Sequence, residues 1–140
     1  MKIKDIITLG NSGFLAATGH SLPVEHFYKF VKFKRAVQKA YDAASKAQKD
    51  FRTEAGMAPE DLLPGAKPDA EKMARYDALN EPYVEEEADM PEVRIPIECY
   101  KGLYDENQKE VGGRRYDIFA NMAVEELILN NLFTEENDND

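Results

Sequence analysis

The chain holds one cysteine, two histidines and no tryptophan. Cys99 has no second cysteine to bond, so no disulfide staples the fold, and this points to a reducing, cytoplasmic setting. Metal ligands are equally scarce: a structural zinc site takes four Cys or His ligands at short spacings, and neither CxxC nor HxxxH occurs. No metal or cofactor is expected. No stretch approaches the roughly 18 apolar residues of a membrane span, and Asp5 with its polar neighbours interrupts the opening MKIKDIITLGNSGFLAATG where a signal peptide would be apolar. Positive charge is also in deficit, with 18 Lys plus Arg against 27 Asp plus Glu and a formal charge of −9. That balance argues against a general nucleic-acid binder, because duplex affinity comes largely from neutralising phosphates.

What is present suffices for a core: 43% of the 140 residues are apolar and 10% aromatic, so a single domain over residues 1–133 is expected. The charge is unevenly placed. Residues 1–55 carry 10 Lys plus Arg against 5 Asp plus Glu, a surplus of +5, and the remainder carries 8 against 22, or −14. Either the two halves attract one another, within the fold or between subunits, or each offers its own sign to a partner.

Ile6, Leu9, Phe14 and Ala17 stand near helical spacing and suggest a short helix within 3–18, although Gly10 and Gly13 each cost about 1 kcal/mol there. Residues 24–55 lack Gly and Pro, and are bounded by Pro23 and Gly56. They read as one long helix of about 48 Å. Its apolar residues repeat at heptad spacing, with Phe30, Val37, Ala44 and Phe51 on one line and Phe33, Ala40 and Ala47 on the next. This is the seam of a coiled coil or antiparallel helical hairpin. Lys32, Arg35, Lys39, Lys46 and Lys49 form a basic stripe opposite it, either a solvated face or a surface for an acidic partner.

Proline and glycine make 57–68 a loop. Asp69 caps a shorter helix carrying Ala70, Met73, Tyr76 and Leu79, which Pro82 either kinks or restarts. The acidic run Glu85, Glu86, Glu87 and Asp89 follows, and is placed to lie against the basic stripe. In Glu92–Glu98 the alternation of Val93, Ile95 and Ile97 has a strand's period, but Pro96 limits it to an edge strand or an extended crossing segment. Tyr100–Tyr104 is ambiguous, Asp105–Arg115 has turn chemistry around Gly112 and Gly113, and Arg114–Ala120 offers a second short strand through Tyr116 and Ile118. Asn121 caps a last helix with a broad apolar face of Met122, Val124, Leu127, Ile128, Leu129, Leu132 and Phe133. The acidic tail 134–140 is expected to be disordered. The fold class is thus mainly α with a small α+β character: a long helix in an antiparallel hairpin, further short helices, and a two-stranded element near 92–118.

Signals for chemistry are thin. Cys99 with His20 or His26 would make a nucleophilic pair, but no signature supports one. Val111–Arg115 lacks the spacing of a phosphate loop, consecutive acids at 85–87 point in different directions on a helix, and Asp138-Asn139-Asp140 stops before a calcium loop's Gly and Glu.

One layout is familiar. An MKIK-type start, Leu22-Pro23-Val24 leading through Tyr28 and Lys29 into a long charged helix, a polar loop, a second helix ending in a Glu-rich run, Val93-Arg94-Ile95-Pro96-Ile97 and a terminal Ala123-Val124-Glu125-Glu126-Leu127 succeed one another. In this order the chain resembles a family of small uncharacterised proteins of tailed bacteriophages and prophages. It departs from them in its aromatic Phe27–Phe33 stretch and its longer Pro-rich loop. The resemblance implies a phage or prophage origin, a bacterial cytoplasmic or virion location, and a small accessory role without carried-over catalytic residues.

The expected function is therefore non-enzymatic binding or assembly. The long helix would self-associate through its Phe and Ala seam or meet another phage or host protein, because the remaining 85 or so residues are expected to be too few to cover it wholly. The alternative is an acidic regulator engaging a basic host protein, and an enzyme is the third reading.

Overall fold

The computed structural model describes residues 1–67, 69–111, 114–117, 119 and 121–134. Five α-helices dominate them: α1 (Ile3–Asn11), α2 (Val24–Glu54), α3 (Ala70–Val84), α4 (Tyr100–Glu106) and α5 (Met122–Leu132). Two short strands, β1 (Gln108–Val111) and β2 (Arg114–Asp117), pair antiparallel with Gln108 opposite Asp117 and Val111 opposite Arg114. The tail 135–140, Pro68, Gly112, Gly113, Ile118 and Ala120 lie outside the described residues, as do the expectations made for them.

The first helix is shorter than its apolar spacing suggests. It stops at Asn11, and Gly13 takes a left-handed φ of +91° before a 3-10 turn at Phe14–Ala16. Only glycine adopts that conformation without strain, so the chain turns here and aims Phe14 inward. Gly10 has a different task. Its Cα faces the Tyr41 ring so closely that a Cβ would collide with it, and Tyr41 Oη donates to Asn11 Oδ1 at 2.6 Å. α1 is thereby held against α2.

The long helix runs over 31 residues, from Val24 after Pro23 to Glu54, and Gly56 follows at φ +83°. Phe30, Phe33 and Val37 on its first half are buried with Ile6, Leu9, Phe14, Leu22, Ile95, Leu103, Phe119, Val124, Ile128, Leu132 and Phe133 in one core. Phe14 meets Phe30 and Phe33 edge-on, at centroid distances of 6.1 and 5.9 Å. Toward its end the second half pairs with α3, through Gln48 Nε2 to Asn80 Oδ1 at 3.0 Å and an edge-on Phe51–Tyr83 contact at 5.3 Å. The hairpin is present, but its two halves differ: α3 has no buried residue.

Several local expectations are corrected. The 57–68 loop contains a 3-10 turn at Pro59–Leu62, closed by Ala58 N–H donating to Asp61 Oδ2 at 2.8 Å. Pro82 neither kinks nor restarts α3, which runs on to Val84; so near the C-terminus its missing N–H costs little continuation. The strand expected over 92–98 does not form. Ile95 alone makes a parallel bridge to Phe133, donating to Leu132 O at 2.8 Å and accepting from Thr134 N at 2.9 Å. Pro96 ends the pairing by lacking a donor, and Ile97–Cys99 turns into a 3-10 helix leading to α4. Asn121 caps α5 by accepting from Ala123 N at 2.9 Å. Met122, assigned to its apolar face, is 83% exposed, because the buried line runs Val124, Ile128, Leu132 at four-residue steps.

Two polar clamps tie the N-terminal loop to α4. The buried Asn107 side chain accepts from Thr18 N at 2.7 Å and donates to Thr18 O and Leu103 O at 2.8 Å each. Glu106 accepts from Ser21 N at 2.7 Å, Thr18 Oγ1 at 2.8 Å and His20 N at 3.0 Å. Burial pushes this carboxyl's pKa up, but the bonds from Ser21, Thr18 and His20 outweigh it and hold the pKa below the usual value.

Candidate functional site

The seam residues do not form a free face. Phe30, Phe33, Val37 and Ala44 are buried, while Ala40, Ala47 and Phe51 are half-buried. The expectation that the remaining chain is too short to cover the seam fails for a simple reason. α1, the Phe14 turn and α5 all converge on the first half of α2, and α3 covers the second. Lys32, Arg35, Lys39, Lys46 and Lys49 are all exposed. Among the described residues no ion pair joins them to the acidic run; Glu85 instead accepts from Lys2 Nζ at 2.7 Å and Lys4 Nζ at 2.8 Å. Those two bonds hold the Glu85 carboxyl at a pKa of about 2, and the bond to Glu85 in turn raises the pKa of Lys2.

This displacement of the acidic run opens a groove. α3 ends at Val84, and the chain is then drawn to α1, with Ile3 N donating to Glu86 O and Ala88 N to Met1 O, each at 2.9 Å. Beyond Tyr83 the flank of α2 therefore loses its helical neighbour and faces the extended residues 87–91. Between them lies a cavity of about 560 Å³. Ala36, Ala40 and Ala43 form the α2 wall, with Lys32 and Lys39 beside them; Tyr83, Met90 and Pro91 stand across, flanked by Glu87 and Asp89. The result is an open trough with apolar walls, cations along one rim and carboxylates along the other. A smaller cavity of about 210 Å³ lies nearby, against Met1, Phe33, Met90, Arg94 and Asn131.

Sequence reasoning found Lys32, Lys39 and Ala40 of this groove and placed the run holding Glu87 and Asp89 against the basic stripe, but it missed Ala36, Ala43, Tyr83 and Met90. The alanine spacing 36, 40, 43, 47 was a legible signal, one flank away from the phenylalanine seam. Tyr83 and Met90 of the far wall had none, since their place depends on where Lys2 and Lys4 pull the chain.

Among the described residues neither histidine is brought to Cys99 by a hydrogen bond to form the nucleophilic pair. Burial, then Glu98, push the Cys99 thiol pKa up, away from the thiolate a nucleophile needs. His20 stacks on Phe27 at 6.1 Å, and His26 Nε2 stands 3.6 Å from Glu25 Oε1. Among the described residues no group of three or more His, Cys, Asp or Glu could hold a metal ion, and no helix is long and apolar enough to cross a membrane. No protein-family model, curated protein or solved structure matches this chain.

Proposed function

We propose that this chain is a non-enzymatic binding or assembly protein that takes another polypeptide into the groove between α2 and residues 87–91. The groove is the observation that carries the reading. Its volume of about 560 Å³ falls in the range of sites that enclose ligand groups. Its apolar walls offer burial to a partner's side chains, and its two rims offer both signs of charge to fix orientation. An accessory role in a phage or prophage rests on the sequence layout alone. The alternative, an acidic regulator of a basic host protein, is weakened because Glu85 is already held by Lys2 and Lys4.

The test is site-specific photo-crosslinking. A benzoyl-phenylalanine replacing Ala43, in the groove, should yield an adduct to a polypeptide, whereas one replacing Arg35, on the solvent face, should not. If neither position captures a polypeptide, the binding reading fails. If the Ala43 adduct is a basic protein lost at moderate salt, the regulator reading replaces assembly.

A further inference from the structure

We infer that the polypeptide seated in this groove is the α2 helix of a second copy, laid antiparallel against the first. This rests on the groove being a polypeptide-binding surface and names its occupant. The argument is the order of charge along the flank of α2 that bounds the groove. Lys29, Lys32 and Lys39 lie toward its start, Asp50 and Glu54 toward its end, and Ala36, Ala40, Ala43 and Ala47 between. At about 100° per residue, all of these fall on one arc roughly 100° wide. Among the described residues none of the five charged groups has a hydrogen bond or ion pair within the chain, although the neighbouring Glu85 has two.

An antiparallel two-fold centred between Tyr41 and Asp42 puts Lys29 across from Glu54, and brings Lys32 to within one residue, about 1.5 Å of helix rise, of the position across from Asp50. It puts Ala36 across from Ala47, and Ala40 across from Ala43. Each pairing occurs twice by symmetry. Parallel packing would instead set Lys32 on Lys32 and Asp50 on Asp50, which repel. The chain thus carries both complementary halves of one interface, and its alanines let the helices approach closely without displacing a large side chain. The strip from Lys29 to Glu54 is about 39 Å long and about 10 Å wide. This is smaller than the ~800 Å² per partner of a standard interface, so the dimer should be micromolar or weaker and should loosen as salt rises.

Sedimentation velocity of the full chain from low to high micromolar concentration tests this. The wild type should pass from monomer to dimer, and Ala43→Arg should stay monomeric with an unchanged circular-dichroism spectrum. Lys32→Glu or Asp50→Lys alone should weaken association by about tenfold, and the double charge swap should recover most of the loss. A double swap no tighter than either single variant overturns the antiparallel register. A wild type that stays monomeric overturns self-association, and the crosslinking at position 43 then separates two failures: capture of a different polypeptide leaves the binding reading standing, and capture of none removes both.

Discussion

The two halves of α2 are made of similar residues but live in different surroundings. In the first, Phe30 and Phe33 are each 1% exposed and Val37 not at all, enclosed by α1, the Phe14 turn and α5. In the second, Ala44 is buried but Phe51 is only half-covered, against a helix that buries none of its own residues. Burial needs neighbours on several sides, and a two-helix arm supplies only one. The first half is consequently the thermodynamic centre of the protein, and the second an arm whose opening need not unfold the rest.

The sharpest way to break that contrast is a matched pair of truncations. Phe33→Ala should cost about 3–5 kcal/mol in chemical denaturation, from lost transfer energy and a cavity that cannot collapse. An equal effect from Phe51→Ala, whose loss should be nearer 1–2 kcal/mol, would erase the distinction. Between these lies Asn107→Ala. It removes all three bonds of a buried side chain and leaves Thr18 N–H without its acceptor, for about 2–3 kcal/mol by thermal melting. Amide exchange sharpens the contrast further: α3 should exchange through local opening, and α1 and α5 only through global unfolding.

The smallest effects are electrostatic. Glu106 and Glu85 both have folded pKa values below their unfolded ones. Their stabilisation is therefore complete above the ordinary carboxylate range and is lost as pH falls through the lowered values, down to about 2 for Glu85. Glu106→Gln should flatten the acid limb of the stability profile measured by urea denaturation from neutral pH downward. Glu85→Gln should act more weakly, since that carboxylate is half-exposed and screened. A steeper acid limb in either variant would refute this assignment.

How much of this was legible depends on whether the cause is local. The cap at Asn121, the stop at Gly56 and the cap at Asp69, which accepts from Glu71 N at 2.9 Å, are decided within a few residues and could be read directly. Glu92–Glu98 misled because alternation reports a half-buried extended chain, which holds only as far as Pro96, without reporting whether a neighbour lies alongside. The acidic run misled for a related reason: attraction by basic residues was correctly read, but Lys2 and Lys4, not the α2 stripe, reach it.

By itself the sequence determined a long uninterrupted helix with an apolar seam and a charged face, because helix propensity, capping and periodicity act between residues within a turn or two of one another. Only the tertiary structure decided what the seam meets. Phe30, Phe33 and Val37 of the seam became part of the protein's own core, because Gly10 and Gly13 let α1 and Phe14 close upon them. The open surface moved to the alanine flank, because two lysines near the N-terminus draw the chain away after Tyr83. Those choices depend on residues about eighty positions apart, and no local pattern records which of several compatible partners a face will find.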